Sequence, residues 1–504
     1  MASNVQHRTR TNKQTSLVGI ALLLFAGFCF GQPAVSLSPK DGPPTTNLQV
    51  SGSGFAPYAQ IDIYFDSQDQ ALAVADAAGA FTQIAIQAPK SAVPGNHWVT
   101  AVERSGHLVK QEIFQVHANW TEFLTKDMHR ENPYENVLNV DNVGSLRLKG
   151  NYRTGAGVFS SPAVVNGVVY IGSEDGNVYA LDANTGAKVW SYEAGYLMFS
   201  SPAVANGVLY VGSYDPPNVC ALNARTGAKL WSYATGHGVW SSPAVANGVV
   251  YVGPDDANVY ALDATTGAKL WSYKTGDQID GMTGSSPAVA NGVVYVSSWD
   301  DNIYALDART GAMLWSYPTG YYVESSPAVA NGVVYVGSDD GNVYALDAST
   351  GAKLWSYPTD GWVVSSPAVA NGVVYVGSYD DNVYALNAST GALLWKYTTG
   401  YDVESSPAVA NGVVYVGSVD HKVYALDAST GTKLGSYRAG DSVDSSPVVV
   451  NGLVYVGSED GNVYAFGLPK GLAKEAPKRP DPKALRPDLN LKVSEPVAST
   501  AGTD

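Results

Sequence analysis

A unit of about 40 residues recurs eight times and constrains everything else in this chain. A clear copy begins at Ser325 and reads Ser-Ser-Pro-Ala-Val-Ala-Asn-Gly-Val-Val-Tyr-Val-Gly-Ser, then continues through Asp339-Asp340-Gly341-Asn342 to Trp355. The Ser-Ser-Pro mark places prolines at 162, 202, 243, 287, 327, 367, 407 and 447, spaced 40 or 41 apart except for one interval of 44. A fixed period of this length requires each unit to be one supersecondary element whose apolar face is covered by its neighbours.

Within a unit, turn chemistry sets the strands. Ser-Pro-Ala-Val-Ala is a short strand that opens with proline, where a missing donor is tolerated. Asn-Gly, as at Asn206-Gly207 and Asn331-Gly332, supplies two residues that accept positive φ and predicts a two-residue hairpin. Val-Val-Tyr-Val-Gly is the second strand and Val-Tyr-Ala-Leu-Asp the third. Asp-Ala-Ser-Thr-Gly turns the chain into a fourth, Ala-Lys-Leu-Trp-Ser-Tyr, because the aspartate can accept backbone N–H groups and the glycine takes the left-handed position. Four antiparallel strands in tandem repeat predict the blade of a β-propeller.

Seven units carry their own fourth strand, and the eighth ends at Val463-Tyr464-Ala465-Phe466 without one. Leu146 to Gly155, just before the first Ser-Ser-Pro, aligns with the missing strand, including its final Thr-Gly. The chain is therefore expected to be all-β. Residues 146–467 would form an eight-bladed propeller whose N-terminal strand completes the last blade, leaving no free edge. Seven blades would leave one unit unexplained.

The flanking segments differ from the repeats. Residues 1–31 hold Arg8, Arg10 and Lys13, then an apolar run from Leu17 to Phe30, the pattern of an export signal too short to span a membrane. Cleavage before Gln32, lipidation at Cys29 or an uncleaved anchor are the three outcomes this pattern allows. Residues 33–116 alternate apolar and polar residues between turns, over Leu48–Val50, Ile61–Phe65, Phe81–Ile86, His97–Val102 and Glu112–Val116, and predict a small β-sandwich. Residues 117–145 lack periodicity and are expected to be a connector. Residues 468–504 hold six prolines and are expected to be a disordered tail.

Net charge is −15, and −18 without the three cations of the leader. Such a body repels phosphate backbones, which argues against nucleic acid as a partner. Of two cysteines, Cys29 would leave with the leader. Cys220 stands where other units have tyrosine, so it is expected to be buried and unpaired. A monomer stabilised by its core is expected.

Ala180-Leu181-Asp182-Ala183-Asn184-Thr185-Gly186-Ala187-Lys188-Val189-Trp190 resembles the tryptophan-docking motif of the propellers with pyrroloquinoline quinone (PQQ)-like repeats. The motif recurs at Trp271, Trp315 and Trp355, and at Trp231 and Trp395 with asparagine in the aspartate position, whereas Gly435 and Gly150 replace the remaining two tryptophans. These six tryptophans are read as structural, each packing on the next blade. The two glycines suggest a looser closing seam. The resemblance implies either of two functions, because that family holds quinoprotein dehydrogenases and non-enzymatic outer-membrane assembly propellers. The dehydrogenases use an adjacent cysteine pair and calcium ligands, and no cysteine pair exists here. The segment Val-Ser-Gly-Ser-Gly-Phe-Ala-Pro, residues 50–57, is similar to bacterial immunoglobulin-like domains of the IPT/TIG kind, which implies a spacer or adhesion module.

The units disagree mainly in two loops that alternation puts on one face. The stretch before Ser-Ser-Pro and the turn between the second and third strands bring Phe199, Trp240, Trp299, Tyr321, Tyr322, Glu324, Trp362, Tyr401, Glu404 and Asp444 there. Aromatic rings and carboxylates together suit a peptide or sugar surface. Glu324, Glu404, Asp444 and Asp280, the last in a longer loop from Asp277 to Gly284, are candidates for calcium or for acid–base work. No serine–histidine–aspartate order, metal-spaced histidine pair or phosphate loop stands out. The expected function is an exported, non-catalytic propeller that binds a protein or glycan without a cofactor, with cell-envelope association as an option. The alternative is a PQQ-dependent dehydrogenase using calcium.

Overall fold

The computed structural model describes residues 34–105, 108–124, 130–276, 285–494 and 496. The leader residues 1–31 and Asp280 lie outside the described residues. The described residues contain strands and two short 3-10 turns but no α-helix.

Eight antiparallel blades of four strands follow one another around a ring, the seventh extended by Glu131–Asn132 of the connector as a fifth, parallel strand beside Ala408–Ala410. The first is built from Ala163–Val165, Val168–Gly172, Asn177–Asp182 and Lys188–Glu193. The Asn-Gly hairpins take the conformation their sequence requires, for example Asn331 at φ 50° and Gly332 at φ 79°. In the next hairpin Asp182 Oδ1 accepts from the backbone N–H groups of Asn184 and Thr185 at 3.1 and 2.8 Å. In the last blade, Arg147–Arg153 pairs antiparallel with Asn462–Gly467, so the N-terminal strand closes the ring.

The Ser-Ser-Pro marks have a role beyond starting strands. The backbone N–H of the second serine donates to the hydroxyl of its counterpart in the next blade: Ser161 to Ser201, Ser201 to Ser242, Ser242 to Ser286 and Ser286 to Ser326. It continues from Ser326 through Ser366 and Ser406 to Ser446, which donates back to Ser161 at 3.0 Å. Eight bonds form a closed belt, so the count of eight is written in hydrogen bonds as well as in sheets.

The six motif tryptophans each reach the next blade. Their Nε1 atoms donate to the backbone carbonyls of Ala224, Ala264, Ala308, Ala348, Ala388 and Ala428 at 2.9–3.0 Å, and each ring covers the hairpin glycine, as Trp190 covers Gly227. The expectation of a loose seam is corrected on one side. The last blade has no such hairpin for residue 435 to reach, and Val143–Ser145 of the connector packs there instead, with Tyr437 donating its hydroxyl proton to the Val143 carbonyl. Cys220 is buried, and burial pushes its thiol up to about 11.

Residues 34–116 form a three-stranded and a five-stranded sheet around one apolar core that includes Leu48, Ile61, Ile63 and Phe114. The tail corrects the expectation of disorder over its described part. Arg479 lies over the Trp98 ring at 5.0 Å and donates to Gln111, the Asp488 N–H reaches Asp69, and Val493 bridges to Leu72. Proline-rich chain needs few internal bonds, so an aromatic ring and a few polar side chains suffice to hold it along the sandwich.

The connector is also more than a linker. Trp120 exchanges backbone bonds with Val164 of the first blade, the Thr121 carbonyl accepts from Val204 of the second, and Glu122 accepts from Val245 of the third. Leu124 belongs to the apolar cluster that also holds Ala288 of the fourth blade and Val329 of the fifth. The Arg130 carbonyl accepts from Val409 of the seventh, and Asn132 donates to Val449 of the eighth. The segment thus threads around the inner strands, near their Asn-Gly ends.

Arg130 is fully buried, and among the described residues no carboxylate pairs with it. Its guanidinium donates to the carbonyls of Phe123, Pro407 and Pro447 at 2.5, 2.9 and 3.0 Å, between the rings of Trp120 and Phe123. Burial pushes its pKa down to about 9.

A half-aromatic, half-acidic funnel

Each inner strand starts at the serine belt, so the residue just before Ser-Ser-Pro projects over the belt's centre. In blades one to three it is Phe159, Phe199 and Trp240. In blades five to eight it is Glu324, Val364, Glu404 and Asp444. All seven line one cavity of about 590 Å³, with serines of the belt beneath them and the connector's Phe123 also in its wall. The turn between second and third strands adds Trp299, Tyr379, Val419 and Glu459.

The wall is polarised. Phe159, Phe199 and Trp240 stand ring to ring, with centroids 5.0 and 4.2 Å apart. Trp240 donates Nε1–H to Asp255 at 3.0 Å, which holds the indole upright. On the other side, Tyr379 donates its hydroxyl proton to Glu404 at 2.8 Å. Burial, with a hydrogen bond to Glu459 and the charges of Glu404, Glu459 and Asp441, pushes Asp444 up to about 9. Burial and then Glu324 push Asp339 up to about 7. Burial also raises Glu404. Asp444, the most buried of these carboxyls, therefore holds its proton at neutral pH.

A stability effect follows with a definite sign. Asp444 has a folded pKa near 9 against an ordinary value of about 4. Its contribution is fully present below the ordinary value and is lost as pH rises towards the folded value. Asp444→Asn is expected to melt above the parent at pH 8.5 and to show a shallower fall in Tm between pH 5 and 9. An unchanged slope would assign the pH dependence to other groups.

Seven of the ten residues picked from sequence line the funnel: Phe199, Trp240, Trp299, Glu324, Trp362, Glu404 and Asp444. Trp362 is half exposed at the rim and packs on Tyr379. Tyr321, Tyr322 and Tyr401 do not line it. Tyr322 stacks on Trp299 and carries Tyr321 behind it, at centroid distances of 5.0 and 4.3 Å, while Tyr401 points to solvent. Phe159, Tyr379 and Glu459 are wall residues outside that set of ten. Their fixed place in the repeat register was the available signal. Phe123 had none, because it comes from the non-repeating connector. No group of three or more metal-ligating side chains occurs among the described residues.

A family model described as outer membrane protein assembly factor BamB matches residues 95–239, 199–322, 300–403 and 383–474, which together span most of the chain. The chain belongs to this family of PQQ-like repeat propellers. The structure of BamB from Moraxella catarrhalis superposes with a TM-score of 0.57 at 22% identity, over 64% of this chain and all of that one. The quinohemoprotein alcohol dehydrogenase from Comamonas testosteroni superposes at 0.61 and 18% identity, over 71% of this chain and 82% of that one. Both likenesses are of fold. In sequence, 58 residues are 41% identical to the dehydrogenase subunit of a quinone alcohol dehydrogenase from Gluconobacter oxydans (strain 621H), which is 11% of this chain and 8% of that protein.

Proposed function

We propose that this family member is an exported, non-catalytic binding propeller that takes a segment of a protein partner into the funnel, with the sandwich as an immunoglobulin-like spacer. The polarised wall carries this reading. Aromatic faces attract cations as well as apolar groups, and carboxylates across the cavity complement the same positive charge. A peptide presenting lysine or arginine satisfies both sides. The family's description as an outer membrane assembly factor supports a protein partner and a place in the cell envelope.

The quinoprotein neighbours motivate a second reading, PQQ-dependent oxidation of an alcohol with calcium. The lining residues do not fit that group. PQQ is a tricarboxylate, and the described wall offers it Glu324, Glu404, Asp444 and Glu459 but no lysine, arginine or histidine.

Titration calorimetry against lysine-rich peptides, neutral oligosaccharides and PQQ with calcium separates these readings. Saturable peptide binding is expected, weakened at least tenfold by Trp240→Ala or Trp362→Ala, as for aromatic anchors in other interfaces. Stoichiometric PQQ binding followed by dye-linked alcohol oxidation would overturn the proposal.

A further inference from the structure

One of the eight blade junctions keeps a tryptophan dock without a tryptophan. At six junctions an indole lies over the hairpin glycine of the next blade, so close that a methyl group built on that glycine would come within 2.6–2.8 Å of the ring. At the junction of the last and first blades the register places Gly150 opposite Ala465, where the first blade has Trp190 opposite Ala180. The receiving hairpin, Asp182 to Gly186, is intact. A methyl group built on Gly150 or on Gly186 meets nothing within 4 Å. The Ala183 carbonyl accepts from the Tyr455 hydroxyl at 3.1 Å, as its counterparts accept from their tyrosines, but receives no indole. A cavity of about 290 Å³ remains, walled by Gly150, Tyr152, Leu181, Ala183, Gly186 and Tyr455.

We propose that this cleft is a docking site for a tryptophan side chain of another protein, carried in an acidic segment. The six filled junctions define what fits: a flat indole over Gly186 with Nε1–H directed at the Ala183 carbonyl. The chain cannot supply it. All eleven of its tryptophans are described. Six are in docks, Trp98 lies under Arg479, Trp120 is buried, and Trp240, Trp299 and Trp362 belong to the funnel. The flanking charge selects the segment. The strand Arg147–Arg153 holds Arg147, Lys149 and Arg153 and no acid, on a body of net charge −15, and Lys149 lines the cleft; the acid also in its wall, Asp182, is bonded into its own hairpin by the Asn184 and Thr185 N–H groups and the Thr185 hydroxyl. Carboxylates beside the incoming tryptophan would meet those cations. This site lies apart from the funnel, and its ligand is independent of the one proposed there.

The test uses the full chain and two probes: free 5-fluoroindole, followed by fluorine NMR, and a pentapeptide Asp-Glu-Trp-Glu-Asp beside its Lys-Lys-Trp-Lys-Lys counterpart. One saturable 5-fluoroindole site per chain is expected. Gly150→Trp should fill the dock from within, abolish that binding and raise Tm. Gly150→Leu, a smaller block, serves if the tryptophan variant misfolds. The acidic peptide should bind at least tenfold more tightly than the basic one, and Arg147→Glu with Arg153→Glu, both outside the cleft wall, should remove most of that preference while leaving 5-fluoroindole binding intact. Absence of a saturable indole site, or a site that survives both Gly150 variants, overturns the proposal. A peptide preference of the opposite sign overturns the acidic assignment.

Discussion

Arg130→Ala is expected to destabilise the protein by about 3–5 kcal/mol, seen as a lower urea midpoint. The side chain is fully buried and bonds three carbonyls, two of which belong to the inner strands of neighbouring blades. Each carbonyl left without a donor costs about 1–3 kcal/mol, and the vacated space adds a cavity term. Opposing this, alanine removes the penalty of a buried cation, which the depressed pKa of Arg130 records. The two effects separate in Arg130→Met, which keeps the stem between Trp120 and Phe123 but supplies no donors. If the bonds dominate, methionine recovers less than half of the loss. Full recovery would show that the fold needs the packing and not the guanidinium.

Deletion of residues 146–155 is expected to convert a soluble protein into an aggregating one. These residues supply the outer strand of the last blade, paired with Asn462–Gly467, and include Thr154, whose hydroxyl donates to the Gly461 carbonyl at 2.9 Å. Without them Asn462–Gly467 becomes an unpaired edge, and such edges recruit strands from other chains. Light scattering after refolding and size-exclusion profiles read the effect. A truncated chain as soluble and stable as the parent would mean that the ring closes by some other pairing.

The blades were legible in sequence because their causes are local. Asn-Gly and Asp-x-x-Thr-Gly fix turns within a few residues, and alternation fixes which side chains face the neighbouring blade. The closing strand was legible for a related reason, since Gly150 and Thr154-Gly155 align with a register that seven other copies establish. Much of the funnel was readable too, because one register position, just before Ser-Ser-Pro, becomes one wall position per blade. Tyr321 and Tyr401 misled because composition in a variable loop does not say which residue turns inward. The connector and tail were opaque. Their partners are the ends of many separate strands, and no spacing in residues 117–145 reports contacts made hundreds of residues away, such as Arg130 with Pro447. The tail's proline content pointed to disorder, while one ring, Trp98, was enough to seat Arg479.

The threading of the connector bears on how such a chain can evolve. Several repeats are nearly identical, so recombination between copies in the gene would readily add or remove a whole unit. A blade gained or lost would keep every internal turn and strand intact. The single-copy connector has no spare unit to match it. Its backbone and side-chain groups, at fixed spacing, meet the first five blades and the seventh and eighth, and an altered ring would leave Glu122, Leu124 and Arg130 facing the wrong strands. The connector therefore acts as a gauge that holds the copy number at eight while the individual copies remain free to diverge.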